Sequence, residues 1–279
     1  MPASTSRSHA PIAVLTDFGY RDHYAGVMKG VIASIAAAAP VIDVTHGIPA
    51  QQVVAGAIAL RQCFGYFPAR TVFLAVVDPG VGTERLPIAI ETRTGGKLVG
   101  PDNGLLSPAA EEAGIKKIIE LRSPRYRLPA VSTSFHGRDI FAPAAAWLWR
   151  GVAIDSLGPR LQTIVRLETV AVVVASEREL KGHVIYIDGF GNLITNIGRA
   201  EFDTFYQRLK GYRLTITLGR STRLKLYQAY ADAPEGAGLA LFGSFGLLEV
   251  AVRDGNAAEK YAAGAGTTVL VRAERMVSA

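Results

Sequence analysis

A carboxylate and a guanidinium frame the most informative segment of the chain. The apolar run 73–77 ends at Asp78, and after a turn through proline and two glycines, Arg85 follows seven residues later. Open α/β sheets place ligand chemistry at the carboxyl ends of strands, where Asp78 is expected. Glycine lets backbone come close to a ligand, and the turn allows Asp78 and Arg85 to face one pocket. The alternative interpretation is a tight loop with a surface ion pair.

Three other segments place polar groups at expected strand ends or before a helix. Asp17 lies beside a glycine, where its carboxylate could bind a ribose diol or serve as a turn or cap residue. Asp102 and Asn103 precede a glycine, which is a strong turn signal, so a purely structural turn is a serious alternative. His136 stands in a loop that opens a helix, where backbone N–H groups favour anions and neighbouring charge can tune an imidazole. We therefore predict a functional role for His136.

Two loops of the C-terminal part combine glycines with short polar side chains. They cover residues 187–192 and 243–249. Their backbone and side-chain groups could hydrogen-bond an amino acid or the edge of a purine. The alternative is that both are β-turns at strand ends.

The bulk properties bound the class of protein. The chain has 279 residues, 49% of them apolar and 19% charged, which is an ordinary globular composition. Its net charge of +6 permits nucleic-acid binding. However, Lys and Arg are scattered without a long basic run or interleaved aromatics, so we expect no nucleic-acid partner.

Several common chemistries lack their motifs. The sequence has no cysteine–histidine cluster with zinc spacing, no dinucleotide or P-loop glycine pattern and no serine elbow. We therefore expect no cofactor and no metal. A metal site built from Asp17, Asp78, Asp102 and His136 stays possible from composition alone.

The location is expected to be cytoplasmic. The polar segment 1–11 has no apolar stretch typical of a secretory signal, and the longest apolar runs are too short to span a bilayer. The single cysteine, Cys63, cannot form an internal disulfide, which suits a reducing compartment.

The pattern of elements predicts two domains. In residues 1–165, strand-like and helix-like runs alternate, which predicts an α/β domain with a mainly parallel sheet. In residues 166–279, short β runs follow one another with one helix-like interruption, which predicts a smaller all-β, barrel-like domain. Predicted strands are 12–15, 41–44, 71–77, 86–91, 97–99, 170–175, 182–188, 212–218, 239–242, 247–252 and 267–272; predicted helices are 24–37, 52–64, 139–149 and 199–209.

Taken together, the motifs resemble those of the S-adenosyl-L-methionine hydroxide adenosyltransferase family, which is related to the fluorinase and chlorinase. They occur in the family's order and span nearly the whole chain. The matching runs are TDFG at 16–19, MKG at 28–30, VVDPGVGT at 76–83, PDNG at 101–104, FHGRD at 135–139, FGNLITNI at 190–197 and SFGLLEVAV at 244–252.

The resemblance implies hydrolysis of S-adenosyl-L-methionine (SAM) to adenosine and L-methionine, with water attacking the ribose 5′ carbon. It also implies a homotrimer with substrate between adjacent subunits, and a catalytic set of Asp78, Arg85 and His136. In that set we expect Arg85 to stabilise hydroxide character, with the formal base left open between Asp78 and His136. The implied ligand contacts are Asp17 at the ribose, Asp188 near the methionine amino group, Asn192 at the adenine, and Ser244, Glu249 and Val252.

Two other functions remain open. The halogenating relatives carry Tyr where this chain has His136, which favours the hydrolase, whereas Gly137 does not exclude chloride because the chlorinase also has glycine there. A halide-dependent adenosyl transfer is therefore the first alternative. The second alternative is a module that binds adenosine or SAM without turnover.

Overall fold

A computed structural model describes residues 10–168, 172–209 and 211–275 of the chain. The chain divides into two compact units, Met1–Glu168 and Thr169–Ala279. The sequence placed this division between residues 165 and 166. No helix in the described ranges is both long and apolar enough to cross a membrane.

The first unit contains a seven-stranded sheet in the order β2-β1-β3-β5-β4-β6-β7. Strands β2, β1, β3 and β5 are parallel, whereas β4, β6 and β7 add antiparallel pairs. The sheet is therefore mixed, because β4 and β5 form the predicted hairpin and reverse the direction. The strands are β1 (Ile12–Thr16), β2 (Val41–Thr45), β3 (Val72–Val76), β4 (Pro87–Thr92), β5 (Lys97–Pro101), β6 (Ile115–Glu120) and β7 (Arg160–Leu161).

Four α-helices accompany this sheet. Met28 and Ile32 of the first helix join the fourth helix in one core cluster over β1 and β3. Burial of this kind, rather than helix propensity, supplies most of the stability of short helices. The helices are α1 (Tyr24–Ile35), α2 (Val53–Phe64), α3 (Ser107–Glu112) and α4 (Ala142–Trp149).

The start of α4 differs from the sequence-based expectation. The predicted helix began at Asp139, but a π-helical turn over Gly137–Phe141 precedes the α-helix. The Asp139 carboxylate accepts hydrogen bonds from the backbone N–H and the hydroxyl of Ser132, both at 2.8 Å. Asp139 therefore fixes the loop that carries His136 instead of capping α4. π-turns of this kind are frequent at functional sites.

The parallel half of the sheet brings two predicted site residues to one edge. Strands β1 and β3 are fully buried and pair in parallel, with Thr16 opposite Val76. Asp17 follows the first of these positions directly, and Asp78 follows the second by two residues. Both carboxylates consequently lie at the carboxyl ends of neighbouring buried strands, as the apolar runs predicted.

The second unit is built on an antiparallel sheet of eight strands, with the order β12-β11-β15-β9-β10-β14-β13 and β8 paired to β9. The backbone after β12 pairs with β13 at Ala240, whose N–H donates to Lys225 and whose carbonyl accepts from Tyr227, so that the sheet is nearly a closed barrel. The strands are β8 (Val173–Ser176), β9 (Glu179–Ile187), β10 (Leu193–Gly198), β11 (Tyr212–Leu218), β12 (Thr222–Leu224), β13 (Gly238–Phe242), β14 (Leu247–Val252) and β15 (Thr268–Arg275).

Two α-helices interrupt these strands within the described residues of this unit. They are α5 (Arg199–Gln207), which the sequence predicted, and α6 (Ala257–Tyr261), which it did not. Phe202 and Phe205 of α5 are buried against the core of the sheet. The start of the predicted strand 170–175 lies outside the described residues, and β8 begins at Val173.

Candidate active site

Asp78 and Arg85 form a buried ion pair. Arg85 Nε donates to Asp78 Oδ1 at 3.1 Å, and Arg85 Nη2 donates to Asp78 Oδ2 at 2.5 Å. Each side chain is only 6% exposed. The alternative of a surface ion pair is therefore wrong. A bidentate pair of this kind fixes the orientation of both groups and not only their distance.

The loop that connects the two charges requires a glycine. Gly82 has a φ of +78°, and a Cβ added there would lie 2.4 Å from the carbonyl oxygen of Thr133. A side chain would thus meet both backbone strain and a collision with backbone. The close approach of these two loops brings the segment that carries His136 next to Arg85.

His136 completes a contiguous set. Its Nδ1 lies 3.1 Å from Arg85 Nη2. A guanidinium can only donate hydrogen bonds, so His136 Nδ1 is the acceptor and the ring proton resides on Nε2. Burial and the positive charge of Arg85 both lower the pKa of His136, which agrees with a neutral imidazole. The structure therefore brings Asp78, Arg85 and His136 together, and their catalytic roles stay predictions.

One donor of Arg85 has no acceptor among the described residues. Its Nη1 is buried and makes no hydrogen bond to them, while the guanidinium carbon lies 5.3 Å from the centre of the Phe141 ring. An unsatisfied buried donor is costly, so such a group marks a place where an oxygen or an anion fits. Phe141 was not predicted as part of the site, and nothing in its local sequence distinguishes it from an ordinary core residue.

The charge of Arg85 and the burial of Asp78 have opposite effects on the pKa of Asp78. Burial raises the pKa of Asp78, and the neighbouring guanidinium opposes that rise. The charge of Asp17 raises the same pKa, so the two carboxylates lie close enough to interact. The site thus combines one guanidinium with two carboxylates and a neutral imidazole.

Asp17 is held by the loop that follows β2. Its Oδ2 accepts a hydrogen bond from the backbone N–H of Gln51 at 2.7 Å. Gln51 has a φ of +65°, a conformation that residues other than glycine adopt uncommonly. This contact has no signal in the sequence, because neither Gln51 nor its neighbours form a recognisable motif.

The segment around Asp102 and Asn103 mainly joins backbone elements. Asn103 Nδ2 donates to the carbonyl oxygen of Val77 at 2.9 Å, and Asp102 Oδ1 accepts from the backbone N–H of Val165 at 2.8 Å. The turn interpretation therefore describes Asn103, which ties its loop to the end of β3. In the described part of the chain, no three His, Cys, Asp or Glu residues are arranged to hold a metal ion, so the geometry gives the proposed four-residue metal site no support.

In the second unit, Asp188 and Asn192 form a closed loop. Asn192 donates to Asp188 from its backbone N–H at 2.9 Å and from its side-chain amide at 3.0 Å. The backbone N–H of Phe190 donates to the same carboxylate at 2.9 Å. Asp188 is thereby occupied in shaping the loop, while the ring of Phe190 is 81% exposed.

Glu249 lies near this loop on β14. Burial raises the pKa of Glu249, the charge of Asp188 raises it further, and a hydrogen bond from the hydroxyl of Tyr230 opposes the rise. The sequence missed Tyr230, because it stands in a short 3₁₀ turn, Tyr230–Asp232, without a motif. Tyr230 therefore joins Asp188, Asn192 and Glu249 as a candidate ligand contact.

The last two predicted contacts have different surroundings. Ser244 is exposed in the loop between β13 and β14. Val252 is 7% exposed and its side chain belongs to the hydrophobic core of the second unit. The Val252 side chain is therefore not part of the Asp188–Glu249 group, whereas Ser244 directly follows Gly243, whose backbone lies against the Glu249 carboxylate.

Comparisons with known proteins identify the family. A profile described as the SAM hydroxide adenosyltransferase N-terminal domain matches residues 12–158, and the corresponding C-terminal domain profile matches residues 182–270. This chain belongs to the SAM hydroxide adenosyltransferase family. The resemblance inferred from the motifs is confirmed.

Curated relatives of this chain include hydrolases and fluorinases. A Thermus thermophilus protein named (R)-S-adenosyl-L-methionine hydrolase is 39% identical over 257 residues, with 89% of this chain and 94% of the relative covered. A Methanocaldococcus jannaschii protein of the same name is 36% identical, with 86% and 87% covered. A fluorinase from Nocardia brasiliensis is more distant, at 28% identity with 96% and 99% covered.

Solved structures agree with the family assignment. An uncharacterized conserved protein from Thermotoga maritima superposes with a TM-score of 0.85 at 36% identity, covering 94% of this chain and 99% of the other. A conserved hypothetical protein from Thermus thermophilus gives a TM-score of 0.74 at 35% identity, covering 95% and 99%. The predicted family fold therefore extends over both units of the chain.

Proposed function

We propose that this chain hydrolyses SAM to adenosine and L-methionine. The observation that carries the proposal is the buried Nη1 donor of Arg85, which has no acceptor among the described residues and lies beside an Asp78 carboxylate and a neutral His136. Such a donor suits the oxygen of a reacting water. Support also comes from the hydrolase names of relatives at 36–39% identity.

The reaction is a displacement at the ribose 5′ carbon. The water oxygen forms a bond to that carbon, the carbon–sulfur bond breaks with its electron pair on sulfur, and methionine leaves as a neutral thioether. The leaving sulfur therefore needs no acid. The water proton must go to a base, which leaves adenosine with a 5′-hydroxyl.

Arg85 alone does not make hydroxide at neutral pH. Bulk water has a pKa of about 15.7. A guanidinium at about 4 Å contributes roughly 4 kcal/mol at an effective dielectric near 20, which corresponds to about three pKa units. A large gap remains, so a proton acceptor is required in the transition state.

The hydrogen bonds favour Asp78 as that acceptor. The Nδ1 lone pair of His136 is already occupied by Arg85, and its Nε2 carries a proton. Each Asp78 oxygen keeps a further lone pair, and burial raises the pKa of Asp78, which makes it a stronger base than an exposed aspartate. We assign His136 to orienting Arg85 and, through Nε2–H, to donating to the water oxygen.

The ligand contacts are proposed in the same terms. Asp17 would accept hydrogen bonds from the ribose hydroxyls and hold the 5′ carbon in line with the water, which is a positioning effect. The methionine and adenine contacts would come from Asp188, Asn192, Ser244, Glu249 and Val252. Because the Val252 side chain is buried in the core, its contribution would come from backbone.

Product analysis tests the function. SAM incubated with the protein should give adenosine and methionine in equal amounts, with the same yield in chloride and in acetate buffer. The unpaired Arg85 donor would also suit a halide, which keeps chloride-dependent transfer as a second candidate. If 5′-chloro-5′-deoxyadenosine were the main product in chloride, hydrolysis would be the wrong assignment. Absence of any turnover would favour a binding module.

Three further properties are proposed with this function. The reaction uses no metal or cofactor, so activity should survive dialysis against a chelator. The active form is a homotrimer with sites between subunits, which a molar mass near three times 29.7 kDa in solution would support. The enzyme acts in the cytoplasm on free SAM, without nucleic-acid or membrane partners.

A further inference from the structure

His46 is fully buried at the carboxyl end of β2, next to the loop that carries Asp17. Its Nδ1 lies 2.7 Å from the hydroxyl oxygen of Thr16, and its Nε2 lies 3.2 Å from Asp43 Oδ1, an electrostatic contact that lacks hydrogen-bond geometry. A carboxylate facing Nε2 favours the tautomer with the proton on that nitrogen. Nδ1 is then the acceptor, and the Thr16 hydroxyl donates to it.

The outer end of this chain of contacts is anchored. Asp43 Oδ2 accepts from Lys29 Nζ at 2.7 Å and from the hydroxyl of Tyr20 at 3.4 Å. The Tyr20 ring also packs edge-on against the His46 imidazole, with 5.0 Å between ring centres. The Tyr20 ring and the electrostatic contact with Asp43 therefore support the orientation of His46 from the side opposite Thr16.

Thr16 and His46 hold the loop after β1 by hydrogen bonds at two places. The Thr16 hydroxyl oxygen accepts from the backbone N–H of Phe18 at 3.2 Å, and the backbone N–H of Gly19 donates to the carbonyl oxygen of His46 at 2.7 Å. Asp17 lies between these two attachments. Its carboxylate is held from the other side by Gln51.

The order carboxylate, imidazole and hydroxyl is that of a nucleophile triad, but the burial argues for another role. Thr16 and His46 are both 0% exposed, so a substrate carbon has no access to the Thr16 hydroxyl. The contacts of Thr16 and His46 instead hold the backbone conformation on either side of Asp17. Its effect must therefore be sought in the recognition made by that carboxylate.

We propose that His46, acting through Thr16, is a positioning residue that aims the Asp17 carboxylate at a vicinal ribose diol. This inference rests on the role given to Asp17 in the proposed function. It extends that role to a polar relay that runs from the partly exposed Asp43 through the buried His46 to the buried Thr16. Loss of the relay should weaken binding of nucleosides that carry the diol and spare those that lack it.

The test compares adenosine with 2′,3′-dideoxyadenosine, each titrated calorimetrically into the full-length protein. A hydrogen bond to a charged group contributes roughly tenfold or more to affinity, so the parent should prefer adenosine by at least about that ratio, and Asp17→Asn should lose most of it. His46→Leu and Thr16→Val should each reduce the ratio about threefold to tenfold. His46→Asn, whose amide can still meet the Thr16 hydroxyl, should restore part of it.

Thr71→Val is the matched control. Thr71 is also a fully buried threonine, it lies next to the opposite end of β3, and its hydroxyl donates to the carbonyl oxygen of Pro68 at 2.7 Å. Thr71→Val should lose about as much stability as Thr16→Val while keeping the parent's preference for adenosine over 2′,3′-dideoxyadenosine. A ratio that is unchanged in Thr16→Val and His46→Leu, but lost in Asp17→Asn, would overturn the positioning role. A parent without any preference for adenosine would overturn it together with the diol role of Asp17.

Turnover of SAM, measured in parallel, separates this inference from the proposed function. If the parent releases adenosine from SAM and the variants keep the parent's preference for adenosine over 2′,3′-dideoxyadenosine, only the positioning role is refuted. If the parent prefers adenosine and the variants lose that preference as expected, but no adenosine is released from SAM, only hydrolysis is refuted.

Discussion

Arg85 Nη2 lies 3.1 Å from His136 Nδ1, and this contact assigns the imidazole as neutral and as an acceptor. The same Nη2 also donates to Asp78. One guanidinium thus occupies the lone pair with which His136 would act as a base. The predictions below follow from that arrangement.

Replacement of Arg85 should remove most of the activity. Arg85→Lys keeps a positive charge but cannot pair with Asp78 through two nitrogens while donating to a water. We expect kcat to fall about 10²–10³-fold, as for loss of a transition-state donor, with a smaller change in KM. Steady-state kinetics measure this. The control is Arg61→Lys, which changes an exposed ion pair with Glu112 and should leave kcat unchanged. An active Arg85→Lys variant would show that geometry at Nη1 is unimportant.

Asp78 and His136 should differ in their importance. Asp78→Asn removes the proposed proton acceptor and leaves a buried guanidinium unpaired, so a loss of about 10³-fold or more is expected. His136→Asn can still accept from Arg85 through its amide oxygen, so a loss nearer tenfold is expected. Single-turnover rates with saturating enzyme compare the two variants. If His136→Asn lost as much as Asp78→Asn, the imidazole and not the carboxylate would be the acceptor.

The pH profile of kcat/KM should show only an acid limb near neutrality. Asp78 must be ionised, and burial raises its pKa above the ordinary 3.8. His136 must be neutral, and burial together with Arg85 lowers its pKa below the ordinary 6.5. Both groups reach their active forms as the pH rises, so activity should increase with pH along one acid limb and then stay level. A fall in kcat/KM as the pH rises through this limb would contradict an ionised Asp78 acting beside a neutral His136.

The connecting loop should be sensitive to one methyl group. Gly82→Ala combines a φ of +78° with a Cβ only 2.4 Å from the Thr133 carbonyl oxygen, so the loop between Asp78 and Arg85 must shift. We expect a loss of about 1–3 kcal/mol in unfolding free energy and a clear fall in kcat. Gly95→Ala is the control, because its φ is +93° but the nearest atom is 4.0 Å away. Thermal melts and activity of both variants would test this; equal effects would show that strain alone matters.

Much of the first unit could be predicted because its apolar strand patterns end next to the residues expected to carry the chemistry. The apolar runs of β1 and β3 are fully buried, and each leads directly to a carboxylate that the structure places at the same edge. The contacts of Arg85 with Asp78 and His136 agree with the loop spacing and the glycine at position 82. The sheet is mixed because the β4–β5 hairpin and β6 add antiparallel pairs, which local patterns indicate only in part.

The missed features depend on contacts distant in sequence. The sequence did not predict β10, because polar residues interrupt its apolar pattern. Its pairing with β9 and β14 forms the strand. Tyr230 reaches Glu249, and Gln51 reaches Asp17, through tertiary packing without a local signal. His46 is similar: its polar side-chain contacts join it to Thr16 of β1 and to Asp43 of β2, and the sequence shows only a histidine before a glycine.

Turnover in water labelled with heavy oxygen tests the central claim most directly. If Arg85 and Asp78 prepare water for attack at the ribose 5′ carbon, adenosine should carry one label in its 5′-hydroxyl and methionine should carry none. Adenosine without the label, or label recovered in methionine, would contradict attack at that carbon and with it the role assigned to the Asp78–Arg85–His136 group.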